Sequence, residues 1–465
     1  MKAREWGVLL VLSGAIFLEG IDIAMLNIAL PSIRTDLGLS TGSLQWVVSA
    51  YVLGYGGFML LGGRAADILG RRRVFLAALL VFLLFSGLGG LAENGATLIA
   101  ARFITGLAAA FMTPAGLSII TTGFEEGPKR DRALMVYGAI GAGGFTLGMV
   151  IGGLLTALDW RWVFFMPVGL SLVLLVAAVL LIPKAARPER DGQRFDLLGG
   201  LTITAAVVLL VLGVERASHV SLEWTVGTVA ASIALFAVFA AVEKRHPAPL
   251  VRLGILKSGS LLRANLIGML FMAGFFGFQF LVVLYLQELR GWSTIEASLA
   301  MLVIGIDVAL APTVTPKLVR RFGNAKVLLA GLAFAALAFG LFQTAGADTS
   351  YVGMLPSLVA MGLAFTLAYG PLTIIATNGI DESEQGLAGG LLYTSFQFGA
   401  ALGLAGVAAV NVAATASGEP GALLDGYRAA FLVPLAAAVI AVVIGAFNLR
   451  GKAAAAQREP ELANA

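Results

Sequence analysis

Apolar residues in this chain do not alternate or recur on one helix face. They run in uninterrupted stretches of about twenty, divided by short polar turns. At ~1.5 Å per residue, a helical stretch of that length crosses a bilayer. Fourteen such segments are expected, at roughly 5–30, 43–63, 73–92, 96–122, 132–157, 162–182, 197–215, 222–242, 262–287, 294–315, 326–345, 351–375, 386–412 and 427–448. The longest polar linkers, 183–196 and 243–261, are basic and bracket the seventh and eighth segments. The pattern therefore predicts an N-terminal six-helix bundle (1–182), an inserted helix pair with its linkers (183–261), a C-terminal six-helix bundle (262–450) and a disordered tail (451–465). Residues 63–73 (Gly63, Asp67, Gly70, Arg71) and 316–326 (Arg320, Gly323, Lys326) align at matching places in the two halves, as an internal repeat requires.

The informative residues are the polar ones inside these runs. Glu19 and Asp22 lie within the first segment, where a charge costs roughly 2.5–3.5 kcal/mol on insertion scales and usually faces a cavity or a partner. At i, i+3 they share one helix face. Arg102 is the basic residue within a span, about 9 Å from its outer end, while Asp22 lies about 12 Å from the outer end of the first segment. Similar depth makes them candidate partners, either in a structural salt bridge or in one that opens when the carboxylate takes a proton. Asp307, about 16 Å into segment 10, comes near the depth of Glu19. The two acids could line one central cavity and attract cations, or Asp307 could pair locally. Gln279, Gln287, Gln343, Tyr369, Tyr393 and Gln397 either line the pathway or hydrogen-bond between helices. Gly144, Gly148, Gly152 and Gly153 put small residues on one face of segment 5, which permits close helix approach.

Composition agrees: 59% hydrophobic and 12% charged residues, with mean hydropathy +0.92, describe an all-α polytopic membrane protein. The net charge of +4 is not a nucleic-acid footprint, because its distribution matters more than its sum. Most Lys and Arg fall on the side that holds both termini, and Arg34, Arg161, Arg216, Arg290 and Arg428 are left on the other. Both termini are therefore expected in the cytoplasm. The first segment is too long for a signal-peptide core and has no A-x-A cleavage site, so it is expected to be retained. There is no cysteine, which excludes disulfides and thiolate metal sites. No G-x-x-x-x-G-K-[ST] loop and no H-E-x-x-H occur, and His219 and His246 fall in expected loops. No enzyme activity, metal or cofactor is expected. A proton gradient is the fitting energy source, with a small-molecule substrate, protons and the bilayer as partners, and with the chain a monomer.

Several stretches resemble the major facilitator superfamily, and within it the fourteen-helix drug:proton antiporters. Asp22, Asn27 and Pro31 match a first-helix signature of that branch, and Leu44-Gln-Trp-Val-Val-Ser-Ala-Tyr51 a second. Gly63, Ala66, Asp67, Gly70 and Arg71 match the superfamily's gating loop, and Arg102 with Gly106 the helix 4 motif whose arginine is implicated in proton coupling. Trp160-Arg-Trp-Val-Phe164 and Gly386-Leu-Ala-Gly-Gly-Leu391, continuing to Gln397 and Gly399, are further matches. Met149 stands where the antiporter motif of helix 5 has proline, and Tyr393 and Phe396 replace the usual Asn and Arg of helix 13. Glu19 and Asp307 are not general family features. The resemblance implies a major facilitator fold of six, two inserted and six helices in the cytoplasmic (inner) membrane. It also implies proton-coupled export of amphipathic, often cationic drugs by alternating access, or alternatively transport of one dedicated metabolite. Asp22, Arg102 and Glu19 would couple to protons. Glu19, Asp307, Asn27, Gln279, Tyr369, Tyr393 and Gln397 would contact substrate.

Overall fold

The computed structural model describes residues 2–124, 128–183, 196–217, 220–246, 249, 254, 258–311, 313–377, 380, 385–415 and 422–463. Among them there is no strand. Six helices form the first half: α1 (Ala3–Leu37), α2 (Thr41–Leu69), α3 (Arg71–Gly90), α4 (Gly95–Gly123), α5 (Pro128–Leu158) and α6 (Trp162–Leu181). Then come α7 (Leu197–Arg216) and α8 (Leu222–Arg245). The second half holds α9 (Gly259–Leu284), α10 (Thr294–Met301), α11 (Asp307–Leu310), α12 (Thr315–Phe322), α13 (Asn324–Phe342), α14 (Tyr351–Thr377), α15 (Gln385–Thr415) and α16 (Ala422–Ala463). Eleven helices among the described residues are long and apolar enough to cross a membrane, and the bent pair Thr294–Leu310 with Thr315–Phe322 would make a twelfth. Helix α2 and the apolar stretch Leu198–Val214 of α7 stand at the two other expected positions. Leucines exposed every fourth residue on α3 (Leu80, Leu84, Leu88) give that helix the apolar outer face a bilayer requires.

Missing side chains hold the bundle together. Helix α1 packs along α5, where a Cβ on Gly144 would stand 2.6 Å from the Phe17 carbonyl oxygen and one on Gly152 2.6 Å from the Met25 Cα. Gly148 lies against Ile21 and Ala24 in the same seam. Gly153 does not share this face: it meets Ser298 of α10 and so joins the two halves. Helix α2 packs on α4 through Gly54 and Gly62, and α9 on α15 through Gly399 and Gly403. Helix α7 packs on both α2 and α15, with Thr204 seated against Gly57, while α8 rests chiefly on α7.

Two expectations change. The 63–73 segment is not a loop. Gly63 and Asp67 lie within α2, Gly70 turns the chain at φ 96°, and Arg71 begins α3. A glycine tolerates that positive φ without a steric penalty. Gly323, at φ 80°, does the same between α12 and α13, so the repeat is a helix–glycine–helix corner. Arg71 donates to Thr122 Oγ1 at 2.7 Å, and the Asp67 side chain is outside the described residues. Segment 10 is not one helix: α10 passes into a 3-10 turn (Leu302–Ile306), and the chain bends by 57° before α12. Pro312 and Pro316 remove two backbone donors there, which a straight helix needs. Helix α16 runs from Ala422 to Ala463, and the four alanines at 453–456 have the highest helix propensity. His219 and most of the linkers around α7 and α8 lie outside the described residues.

Candidate functional site

The buried charges converge on α1. Arg102 Nη1 of α4 donates to Asp22 Oδ2 at 2.6 Å, with both side chains at most 3% exposed. The guanidinium also lies over the Tyr51 ring of α2, 4.4 Å from its centroid. A Cβ at Gly106 would overlap the Tyr51 carbonyl oxygen, so the missing side chain lets α4 bring Arg102 this close. One turn earlier on α1, buried Glu19 accepts hydrogen bonds from Tyr55 Oη at 3.0 Å and from Thr113 Oγ1 of α4. Tyr55 also bonds Thr113 at 3.0 Å. Glu19 therefore sits inside the first half, held by hydroxyls and not by a cation. Tyr137 of α5 is its further electrostatic neighbour.

Asp307 begins α11, after the 3-10 turn, and is half-buried. Helix α5 serves as a ruler for its depth. Gly20, beside Glu19, meets Gly141 and Phe145, and Gly305, two residues before Asp307, meets Thr146. The two acids thus share a level, but no hydrogen bond or ion pair joins them among the described residues. Tyr369 Oη and Tyr393 Oη are 2.9 Å apart on α14 and α15. Tyr369 belongs to an aromatic wall, stacked on Phe365 (5.1 Å between centroids) and tilted against Phe396 (5.6 Å). Gln397, one turn after Tyr393 on α15, packs against Gly56 at the α2–α15 seam. Gln343 donates to the Arg428 carbonyl within the second half.

At the C-terminal end of α1, polar contacts tie the halves together. Asn27 Nδ2 and Gln279 Oε1 are 3.5 Å apart, Gln287 Nε2 donates to the Ile28 carbonyl at 3.0 Å, and Thr294 Oγ1 to the Gly153 carbonyl at 3.3 Å. Arg34 Nη1 reaches both oxygens of Glu288, at 2.9 and 2.7 Å, and Tyr427 donates to the same carboxylate at 3.2 Å. Beside this latch an open cavity of about 580 Å³ is lined by Arg34, Thr35, Glu288, Leu423 and Tyr427, among others. Asn27 and Gln279, expected at the substrate, meet across the seam, and Gln279 Nε2 is buried without a hydrogen-bond partner. Glu288, Tyr55 and Thr113 escaped sequence reasoning. Tyr51 and Tyr55 at i, i+4 put two hydroxyls on one face of α2, the signal available for the second of them. Among the described residues no group of three His, Asp or Glu side chains could hold a metal.

Glu288→Gln is expected to weaken the latch, since it removes the charge that Arg34 grips while keeping the shape. A partly exposed pair of this kind is worth about 1 kcal/mol, a roughly fivefold change in population. Spin labels at Thr35 and Leu423, on either side of the cavity, should show a longer-distance component in the variant. An unchanged distance distribution would count against the latch.

A family model described as Major Facilitator Superfamily matches residues 12–404. The cephamycin export protein CmcT of Amycolatopsis lactamdurans is 37% identical over 444 residues, spanning 92% of this chain and 89% of that protein. The puromycin resistance protein pur8 of Streptomyces alboniger is 34% identical over 455 residues, spanning 94% and 89%. Among solved structures, an auto-inhibited POT family peptide transporter superposes with a TM-score of 0.68 at 17% identity, covering 96% of each chain. The nucleoside transporter NupG gives 0.66 at 15% identity, covering 96% and 98%. At such identities the two structures speak for the fold.

Proposed function

Because the chain belongs to the major facilitator superfamily, we propose that it is a proton-coupled exporter of amphipathic, often cationic small molecules, working by alternating access. Relatives named for cephamycin export and for puromycin resistance favour antibiotic-type substrates. The observation that carries the mechanism is that α1 bears both the charge site and the latch. Asp22 and Arg34 are twelve residues apart on one helix, about 18 Å along its axis. A proton on Asp22 removes the charge that binds α1 to Arg102, and α1, helical from Asp22 to Arg34 with Pro31 between them, carries the resulting movement to Arg34 and Glu288. With both termini in the cytoplasm, the latched end is the outer one, and this state takes substrate from the inner side. Glu19 and Asp307 stand at one level and attract a cationic group, and the aromatic wall at Tyr369 receives the substrate's apolar body. A dedicated exporter of one metabolite is the second reading, favoured by relatives that carry the name of a single compound.

Susceptibility profiling tests the proposal. Cells making the chain should tolerate several-fold higher concentrations of some amphipathic compounds than cells without it. Equal susceptibility across a broad antibiotic and dye panel would overturn export. Two substitutions probe charge selection: Glu19→Gln and Asp307→Asn should each weaken cationic substrates by about tenfold, the 1–2 kcal/mol of one desolvated charge contact, and neutral ones little. Equal loss for both kinds of substrate would show that these acids do not select for charge.

A further inference from the structure

Arg102 has an incomplete set of partners. Its Nη1 is on Asp22, and its Nε is buried without a hydrogen-bond acceptor. What covers the guanidinium is the ring of Tyr51, itself 1% exposed, with a hydroxyl that has no partner. The ring is fixed from two sides. Gly106 lets the α4 backbone touch Tyr51's carbonyl, and the Tyr55 ring meets Tyr51 edge-on, 6.0 Å between centroids at 73°. Tyr51 thereby stands between the Asp22–Arg102 pair and the Glu19–Tyr55–Thr113 cluster. The charges of Glu19, Asp22 and Arg102 all act on it.

Once Asp22 takes a proton, Arg102 is a cation in an apolar interior with no anion in contact. It could swing to Glu19, the other acid on α1, or draw in water. Either move would stop the pair from re-forming. An aromatic face is the remaining partner, and its attraction for a guanidinium is strongest where water is excluded. We propose that Tyr51 is the positioning residue of this pair, its ring face holding Arg102 in place while Asp22 is protonated. The inference rests on the proton-coupled reading above. The titratable and charged groups around the pair are Glu19 on α1, Tyr51 and Tyr55 on α2 and Tyr137 on α5. Helix α6 has no charged residue, and Arg263 of α9 and Glu296 of α10 lie near helix ends.

The test is an infrared titration of the full-length protein in lipid, following the carboxylic acid band that disappears in Asp22→Asn. In Tyr51→Leu the pH needed to raise that band should fall by about one unit, because protonation then strands the guanidinium. Tyr51→Phe keeps the ring and should restore the wild-type titration, which a role for the hydroxyl would not allow. An unshifted Leu variant, or a Phe variant shifted as far as Leu, overturns the role of the ring and leaves the coupling site standing. If no Asp22-dependent band rises at any pH the folded wild type tolerates, Asp22 takes no proton, and the coupling reading falls together with the inference. Size-exclusion profiles and thermal unfolding of each variant establish that the folded protein is being titrated.

Discussion

Asp22→Asn should abolish proton-driven transport and should also destabilise the protein, by about 3–5 kcal/mol, because it leaves a buried guanidinium without its anion. Both partners are at most 3% exposed. Arg102 has no anion in contact when the carboxylate is gone, and the Tyr51 ring offsets only part of the loss. A second variant separates the two effects. Asp22→Asn combined with Arg102→Leu removes both charges, so most of the stability should return while transport stays lost. Thermal unfolding in detergent and transport in proteoliposomes check the two halves of this expectation. Single and double variants of equal stability would mean that the ion pair is not what the interior depends on. Restored pH-driven transport in the double variant would remove the pair from the mechanism.

Gly148→Val should also destabilise the protein, for a reason of shape. A Cβ at Gly148 would stand 2.8 Å from the Ile21 Cα and from the Ala24 Cβ, so the α1 and α5 backbones would have to separate. Overpacking of this kind costs about 1–3 kcal/mol, and more where backbone atoms must move. The same α1 segment carries Asp22 and Met25, so the charge pair should be displaced with it. Gly143→Ala is the control: nothing lies within 4 Å of that position, and alanine there should be neutral or raise stability by up to about 1 kcal/mol through helix propensity. Parallel unfolding curves measure both. Equal stability of the valine variant and wild type would show that the α1–α5 seam does not need its glycines.

The parts of the site visible in the sequence are those where chemistry conflicts with location. A carboxylate and a guanidinium inside apolar runs stand out in any single sequence, and counting along two helices is enough to place Asp22 and Arg102 at one depth. Tyr55 and Thr113 conflict with nothing, because hydroxyls are ordinary in membrane helices, and their bonds to Glu19 appear only when α2 and α4 are laid beside α1. Glu288 was hidden for the opposite reason. Charges at the end of a span look solvated, and its link to Arg34 crosses from one half to the other. Helix periodicity places Gly144, Gly148 and Gly152 in one seam, but Gly153, one residue on, points to α10, as a rotation of about 100° per residue requires. The break in segment 10 could have been seen in Pro312 and Pro316, whereas apolarity alone made that segment one straight helix.

The central claim is that substrate leaves in exchange for protons. Its most direct test is a simultaneous record of substrate and proton movement in proteoliposomes of the purified chain, loaded with a fluorescent cationic dye and given a pH gradient. The account predicts that dye and protons move in opposite directions, that dye movement stops when a protonophore collapses the gradient, and that Asp22→Asn shows neither flux. Dye and protons moving together, or dye transport that survives the collapse of the gradient, would contradict it.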